Sequence, residues 1–295
     1  MSADVQPVEY EVVHTTEYDY SQPVAVSHHL ACLAPRVLPR QQVLHHELQI
    51  EPQPAAISTH TDYFGNAVTF FGMEGPHQRL TVRARSQVTL EGPSLPSPAD
   101  TPPWEAVADR GALLLDTLEF AFDSGLNPAI SEPAEYVRAS FPAGRPLLEA
   151  VLDLTGRIYE DFTFDREATT VRTPLAEVFE SRRGVCQDFA RLEIACLRSL
   201  GLPARYVSGY LETVPPPGRP RLLGADASHA WLAVYCPGSG WIDVDPTNNV
   251  LPSRRHVTVA WGRDYGDVIP IHGVILGGGK HKLRVNVDVL RLTLR

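Results

Sequence analysis

Between residues 8 and 98 apolar and polar positions alternate with a period of two, in short runs. YEVVHTTEYDY, AVSHHLACLAPR, VLHHELQIEP, NAVTFFGM and LTVRARSQVTLEG are rich in β-formers and separated by Pro, Gly and Asn. Successive side chains of a strand point to opposite faces, so this pattern predicts strands with one buried face. Leu80, Val82 and Ala84 against Arg79, Thr81, Arg83 and Arg85 show it most clearly, and Gly65-Asn66 reads as a turn. The expected unit is an antiparallel sheet or sandwich with one face in water. Residues 93–103, PSLPSPADTPP, read as a linker. From 104 to 159 the period becomes helical. Leu148, Val151, Leu152, Thr155 and Ile158 form one face, and Pro133 and Pro146 suit first helical turns. Thr173-Pro174 predicts an N-cap followed by proline at the first helical position.

Residues 182–201, RRGVCQDFARLEIACLRSLG, organise the rest of the chain. A small-residue turn delivers Cys186 to a helix start, apolar residues follow on more than one face, and Gly201 stands where a C-cap glycine belongs. The expected helix is therefore buried. LPARYVSGYLET predicts a strand, residues 214–228 a Pro- and Gly-rich loop able to form a groove or lid, and 229–235 and 240–247 two strands joined by the turn CPGSG. In the tail Leu283, Val285, Val287 and Val289 alternate with Arg284, Asn286 and Asp288, predicting a strand that returns to the N-terminal sheet. The expected organisation is an α+β chain. It comprises an N-terminal β-rich domain (1–98), a helical lead-in with a cysteine-bearing core (99–262), and a C-terminal strand (263–295).

Composition narrows the function classes. The net charge of −9 argues against a nucleic-acid surface or an anionic-membrane anchor. The four cysteines, Cys32, Cys186, Cys196 and Cys236, are scattered, so neither a disulfide framework nor a zinc site is expected. The opening MSADVQPVEYEVVH lacks a basic region followed by an apolar one, so no secretory leader is expected and the cytoplasm is the expected compartment. His28-His29 and His45-His46 point to opposite faces of their strands, which disfavours chelation by either pair. The glycine run at 277–279 has no phosphate-loop context. No metal and no cofactor are expected.

The remaining chemistry converges on three residues. A thiol at a helix N-terminus has its reactive anionic form favoured. His229 opens one predicted strand and Asp245 closes the next. If the strands pair and pack on the helix, sulfur, imidazole and carboxylate can meet as nucleophile, base and orienting group. Asp243 shares a face with Asp245, and periodicity alone does not choose between them.

HAWLAVY and GWIDVDPTNN, preceded by GVCQDFARL, resemble the transglutaminase-like superfamily of papain-type folds. H14-TTEYDYSQPV, LAPRVLPRQQVL, DYFGNAV, GRDYGDV and HKLRVNVDV resemble a bacterial transglutaminase-like protein with its own N-terminal β domain. The resemblance implies Cys186 as nucleophile, His229 as general base and acid, and Asp245 as orienting carboxylate. Gln187 follows the cysteine where the tissue crosslinking enzymes have tryptophan, which weakens the case for crosslinking, and nothing resembles their calcium sites. Gln187, Trp231 and Trp241 are the candidate substrate contacts, with helix capping competing for Gln187 and core packing for the tryptophans. Asp188 reads as a helix cap, and Arg182 and Arg183 as solvated charges or binders of an acidic substrate group. The expected activity is hydrolysis of peptide or protein amides through a thioester. Transfer to an amine is the alternative, and a non-catalytic peptide-binding module is the reading from another class.

Overall fold

The computed structural model describes residues 6–109, 113–128, 131–213 and 228–292. Four strands open the chain: β1 (Val8–Ala31), β2 (Gln41–Glu51), β3 (Ala56–Thr61) and β4 (Ala67–Leu90). The runs that punctuation separates in the sequence are continuous here. β1 and β4 are each 24 residues long and pair antiparallel along most of their length. Pro23 and Gly75-Pro76 do not end them. Val24 faces His77 and Val26 faces Glu74, so the awkward residues gather in a shared register shift. Gly75 takes the φ of +107° that a side chain would resist.

The helical region contains α1 (Trp104–Ala108), α2 (Leu115–Leu118), α3 (Ser131–Arg138) and α4 (Leu147–Asp161). The short strand β5 (Thr163–Phe164) precedes α5 (Leu175–Ser181) and pairs with β6 (Arg183–Gly184). The helix α6 (Cys186–Ser199) then runs into β7 (Ala204–Leu211), β8 (Ser228–Cys236), β9 (Gly240–Val244) and β10 (His256–Gly262). These four form an antiparallel sheet in the order β10-β7-β8-β9. β11 (Ile271–Gly277) and β12 (His281–Leu292) both pair with β1, one beyond the other along its edge.

Residues 188–198 of α6 are all buried, which explains the apolar positions on several faces. The polar members of the run find partners. Arg198 donates to the carbonyls of Phe120, Ala204 and Arg263, and Arg191 to that of Leu126. Glu193 accepts from the Thr155 hydroxyl, and burial pushes its carboxyl up to about 8, so it is held protonated at neutral pH. Gly201, at φ +82°, closes the helix by donating to Arg198 O.

A single core joins the two sheets. Tyr10 and Val12 of β1, Val88 and Leu90 of β4, and Val287 and Val289 of β12 pack with α4, α6 and the second sheet. Tyr10 donates its hydroxyl proton to Glu212 at 2.9 Å, and His14 Nδ1 lies 2.9 Å from the Tyr210 hydroxyl. Leu283 and Val285 occupy the same face of β12 as Val287 and Val289 but are half exposed. The sheet extends past the core at this end and overhangs the mouth of α6.

Candidate active site

The local sequence explains how Cys186 is presented. Val185 is extended (φ −119°, ψ 179°), so the chain turns into the helix at the cysteine. Asp188 caps that turn by accepting from the Val185 N–H at 3.0 Å and the Thr169 hydroxyl at 2.6 Å. A Cβ on Gly184 would lie 2.8 Å from an Asp188 carboxylate oxygen, so only glycine lets the cap approach. Asp188 is therefore the cap that its position predicted, whereas Gln187 lines the cysteine's cleft with its Nε2 buried. Arg183 pairs with Asp165, and the Arg182 guanidinium packs 4.2 Å from the Phe179 ring and 4.6 Å from that of Phe162. Neither faces the cysteine's cleft.

That cleft, about 240 Å³, contains Cys186, Gln187 and His229. His14, Thr16 and Tyr18 from β1 and Leu283 and Val285 from β12 form its opposite wall. The N-terminal sheet is thus part of the site. Only long-range pairing brings those residues there, so the strand pattern alone carried no sign of it.

Across the cleft, His229 Nε2 donates to Asp245 Oδ2 at 2.7 Å. Asp245 lies just beyond the end of β9, is completely buried, and accepts from four further groups. Asn248 Nδ2 (2.7 Å) and His256 Nε2 (3.1 Å) reach Oδ2, while the backbone N–H groups of Thr247 (3.0 Å) and Asn248 (3.3 Å) reach Oδ1. The choice between the two aspartates is thereby made in the geometry, since Asp243 pairs instead with Arg40. Asn248 and His256 are the supporting residues that sequence reasoning missed. The signal for Asn248 was its position three residues after Asp245, which suits a turn bonding back to the carboxylate. Nothing local marked His256.

The electrostatics follow from these contacts. Burial alone would lower the His229 pKa. The hydrogen bond to Asp245, the interaction with the Cys186 thiol and both negative charges override it, raising the ring to about 10. Asp245 is likewise pushed up by burial but held well below the ordinary carboxylate range by its two imidazole partners. Burial keeps His256 below its usual value, so it is neutral at pH 7 and gives its single proton to Asp245. The arrangement stabilises an imidazolium next to a sulfur, which is what thiolate formation requires.

The raised His229 contributes stability that is fully present below the ordinary histidine value of 6.5 and is lost as pH rises through about 10. The stability gap between wild type and His229→Gln in urea unfolding should narrow steadily from pH 7 to about 10.5. A gap that is constant or widens over that range would contradict the charged pairing.

The tryptophans take the core-packing alternative. Trp231 is fully buried, with its ring centroid 6.0 Å from that of His229 and 5.3 Å from that of His256. It packs beside the imidazoles on the strand face that it shares with His229, in a cluster with Val207 and Ala233. Trp241 lines a different cavity on that face. Neither reaches the cysteine's cleft. The predicted loop at 214–228 lies outside the described residues except for Ser228, which lines the cleft. Among the described residues, one group presents three metal-ligating atoms within 4.8 Å of one another: His229, Asp245 and His256. Their mutual hydrogen bonds account for that closeness.

Comparisons with known proteins agree with this architecture. Residues 10–89 match the family model described as the bacterial transglutaminase-like N-terminal region, and residues 136–246 match that of the transglutaminase-like superfamily. Uncharacterized proteins of Mycobacterium bovis and Mycobacterium tuberculosis are 44% identical over 291 residues, covering 95% of this chain and 92% of theirs. A protein-glutamine gamma-glutamyltransferase of Pseudomonas aeruginosa is 31% identical over 129 residues, 43% of this chain and 19% of that protein. The solved structure of a "Putative Cysteine Protease" from Cytophaga hutchinsonii superposes with a TM-score of 0.74 at 20% identity, covering 98% of this chain and 92% of that one. That likeness establishes a shared fold.

Proposed function

Because this chain belongs to the transglutaminase-like superfamily, with a bacterial transglutaminase-like N-terminal region, we propose that it is a cysteine-dependent hydrolase of peptide or protein amides. The observation that carries this reading is the row from Asp245 through His229 to Cys186, set at the N-terminus of α6 and open to a cleft. Cys186 attacks the amide carbonyl as its thiolate and forms a C–S bond. As the C–N bond breaks, the His229 imidazolium passes its proton to the leaving amine. Water then attacks the thioester, His229 takes the water's proton, and the acid product leaves with the thiol restored.

The developing oxyanion needs donors. The backbone N–H of Cys186 lies at the positive end of the helix. Gln187 supplies a second, since its Nε2 is buried in the cleft wall without a hydrogen-bond partner. Replacing Gln187 by alanine should lower kcat by about 100-fold with a smaller change in KM. A kcat within about threefold of wild type would remove Gln187 from this role.

The name of the Pseudomonas relative favours a second reading, in which an amine rather than water takes the acyl group. No carboxylate lines the cleft among the described residues to receive a lysine ammonium, which supports water. Mass spectrometry of a glutamine-containing peptide incubated with the protein and a primary amine separates the two. Free acid from the peptide backbone or side chain is the expected product. An amine adduct that accumulates ahead of acid would sink the hydrolase reading.

A further inference from the structure

On the face of the β7–β10 sheet that α6 does not cover lies a larger cavity, about 750 Å³, roofed by residues 91–96. It is separate from the cysteine's cleft and shares no lining residue with it. Its floor is Arg205 of β7, whose side chain is sandwiched between two indoles, with the guanidinium carbon 4.4 Å from the Trp241 ring centroid and 3.6 Å from that of Trp261.

Arg205 is over nine-tenths buried, and its Nε has no hydrogen-bond partner. No carboxylate among the described residues lies within ion-pairing distance. Two carboxylates line the cavity, Glu91 and Asp243, and Asp243 is engaged by Arg40. A third guanidinium, that of Arg36, stacks 3.5 Å from the Trp261 ring. Glu91 and Asp243 balance Arg40 and Arg205 in the charged lining, so what is left over is the Arg205 donor edge, buried and without an ion pair. A buried charge without a partner is costly, and burial already lowers the Arg205 pKa to about 9. The stacked rings hold the guanidinium plane fixed, which leaves its edge as the available donor fork.

We propose that this cavity is a binding site for a carboxylate, received by the edge of Arg205, with an apolar body lying on Trp241, Trp261 and the surrounding prolines. Asp243 at the rim disfavours a doubly charged phosphate, whereas a single carboxylate matches the bidentate fork. The volume suits a ligand of a few residues or a small organic acid. The carboxylate can come from a peptide C-terminus, an acidic side chain or a free acid. The inference does not depend on the chemistry at Cys186.

Trp241 and Trp261 make binding visible by intrinsic fluorescence, with calorimetry as a second readout. The probes are phenylacetate, an N-acetylated tripeptide with a free C-terminus, the same tripeptide amidated but containing glutamate, and inorganic phosphate. At least one carboxylate probe should bind with a Kd below about 5 mM. Which probe binds tightest identifies the source of the carboxylate. Arg205→Met keeps the stacked stem but removes the charge, and should weaken binding at least about tenfold. Asp243→Asn releases Arg40 and should tighten binding severalfold, which decides the matter if the Arg205 variant does not fold. No carboxylate binding, binding unchanged in Arg205→Met or Asp243→Asn, or phosphate bound more tightly than every carboxylate would each overturn the proposal.

Discussion

Replacing Cys186 by alanine should abolish amide hydrolysis, with a loss of about 10⁵-fold or more in kcat, while leaving the unfolding midpoint nearly unchanged. The two halves of that expectation have separate causes. Activity goes because, among the described residues, no other nucleophile lines the cleft at a helix start, and the remaining donors can only polarise a carbonyl. Stability stays because Cys186 is only partly buried and packs at the edge of the core, and removing one sulfur there opens onto the cleft. The buried cysteines offer the contrast. Cys196 is fully buried, and burial pushes its thiol far above the ordinary range. Alkylation by iodoacetamide at pH 7 should therefore mark Cys186 first, as peptide mapping would show. Hydrolysis that survives in the alanine variant would refute the proposed chemistry.

Asp245→Asn should be the second most damaging change. The side chain has nearly the same shape, yet all five groups around the carboxylate are donors. An amide must turn its own N–H₂ against some of them, leaving buried groups unpaired and His229 free to take the wrong tautomer. A kcat loss of about 10² to 10⁴-fold is expected, with about 2 to 4 kcal/mol of lost stability from the unpaired buried donors. The pH profile distinguishes positioning from simple misfolding. Since Asp245 is the chief cause of the raised imidazole, wild-type kcat/KM should fall on the alkaline side near pH 10, and the asparagine variant should show that limb moved toward neutrality. An unmoved limb in a folded variant would mean that the carboxylate does not govern His229.

Much of this was legible in the chain. Alternation along 79–85 and helical spacing along 148–158 gave the element types because each repeats its period over enough residues to outweigh local exceptions. Cys186, His229 and Asp245 could be named together because each sits at the boundary of an element, where side chains escape the packing of its interior. Local punctuation misled at Pro23 and Pro76, since two irregularities facing each other cost less than two strand breaks. Trp231 falls on the core-packing side of its two readings. It shares a strand face with His229, but only the histidine stands at the strand's end, where that face meets the cleft. Asp243 and Asp245 differ by one turn of the pleat, and what separates them is Arg40, 203 positions away. Contacts of that separation leave no trace in a period. The wall built by Thr16, Tyr18, Leu283 and Val285 is invisible for the same reason.

That wall also has an order of arrival. On the ribosome, α6, β8 and the turn carrying Asp245 all emerge before residues 281–292 do. Until β12 pairs with β1, the flank built by Leu283 and Val285 is missing. That flank is therefore the last part of the described cleft wall to be synthesised. By supplying Leu283 and Val285, β12 completes that flank.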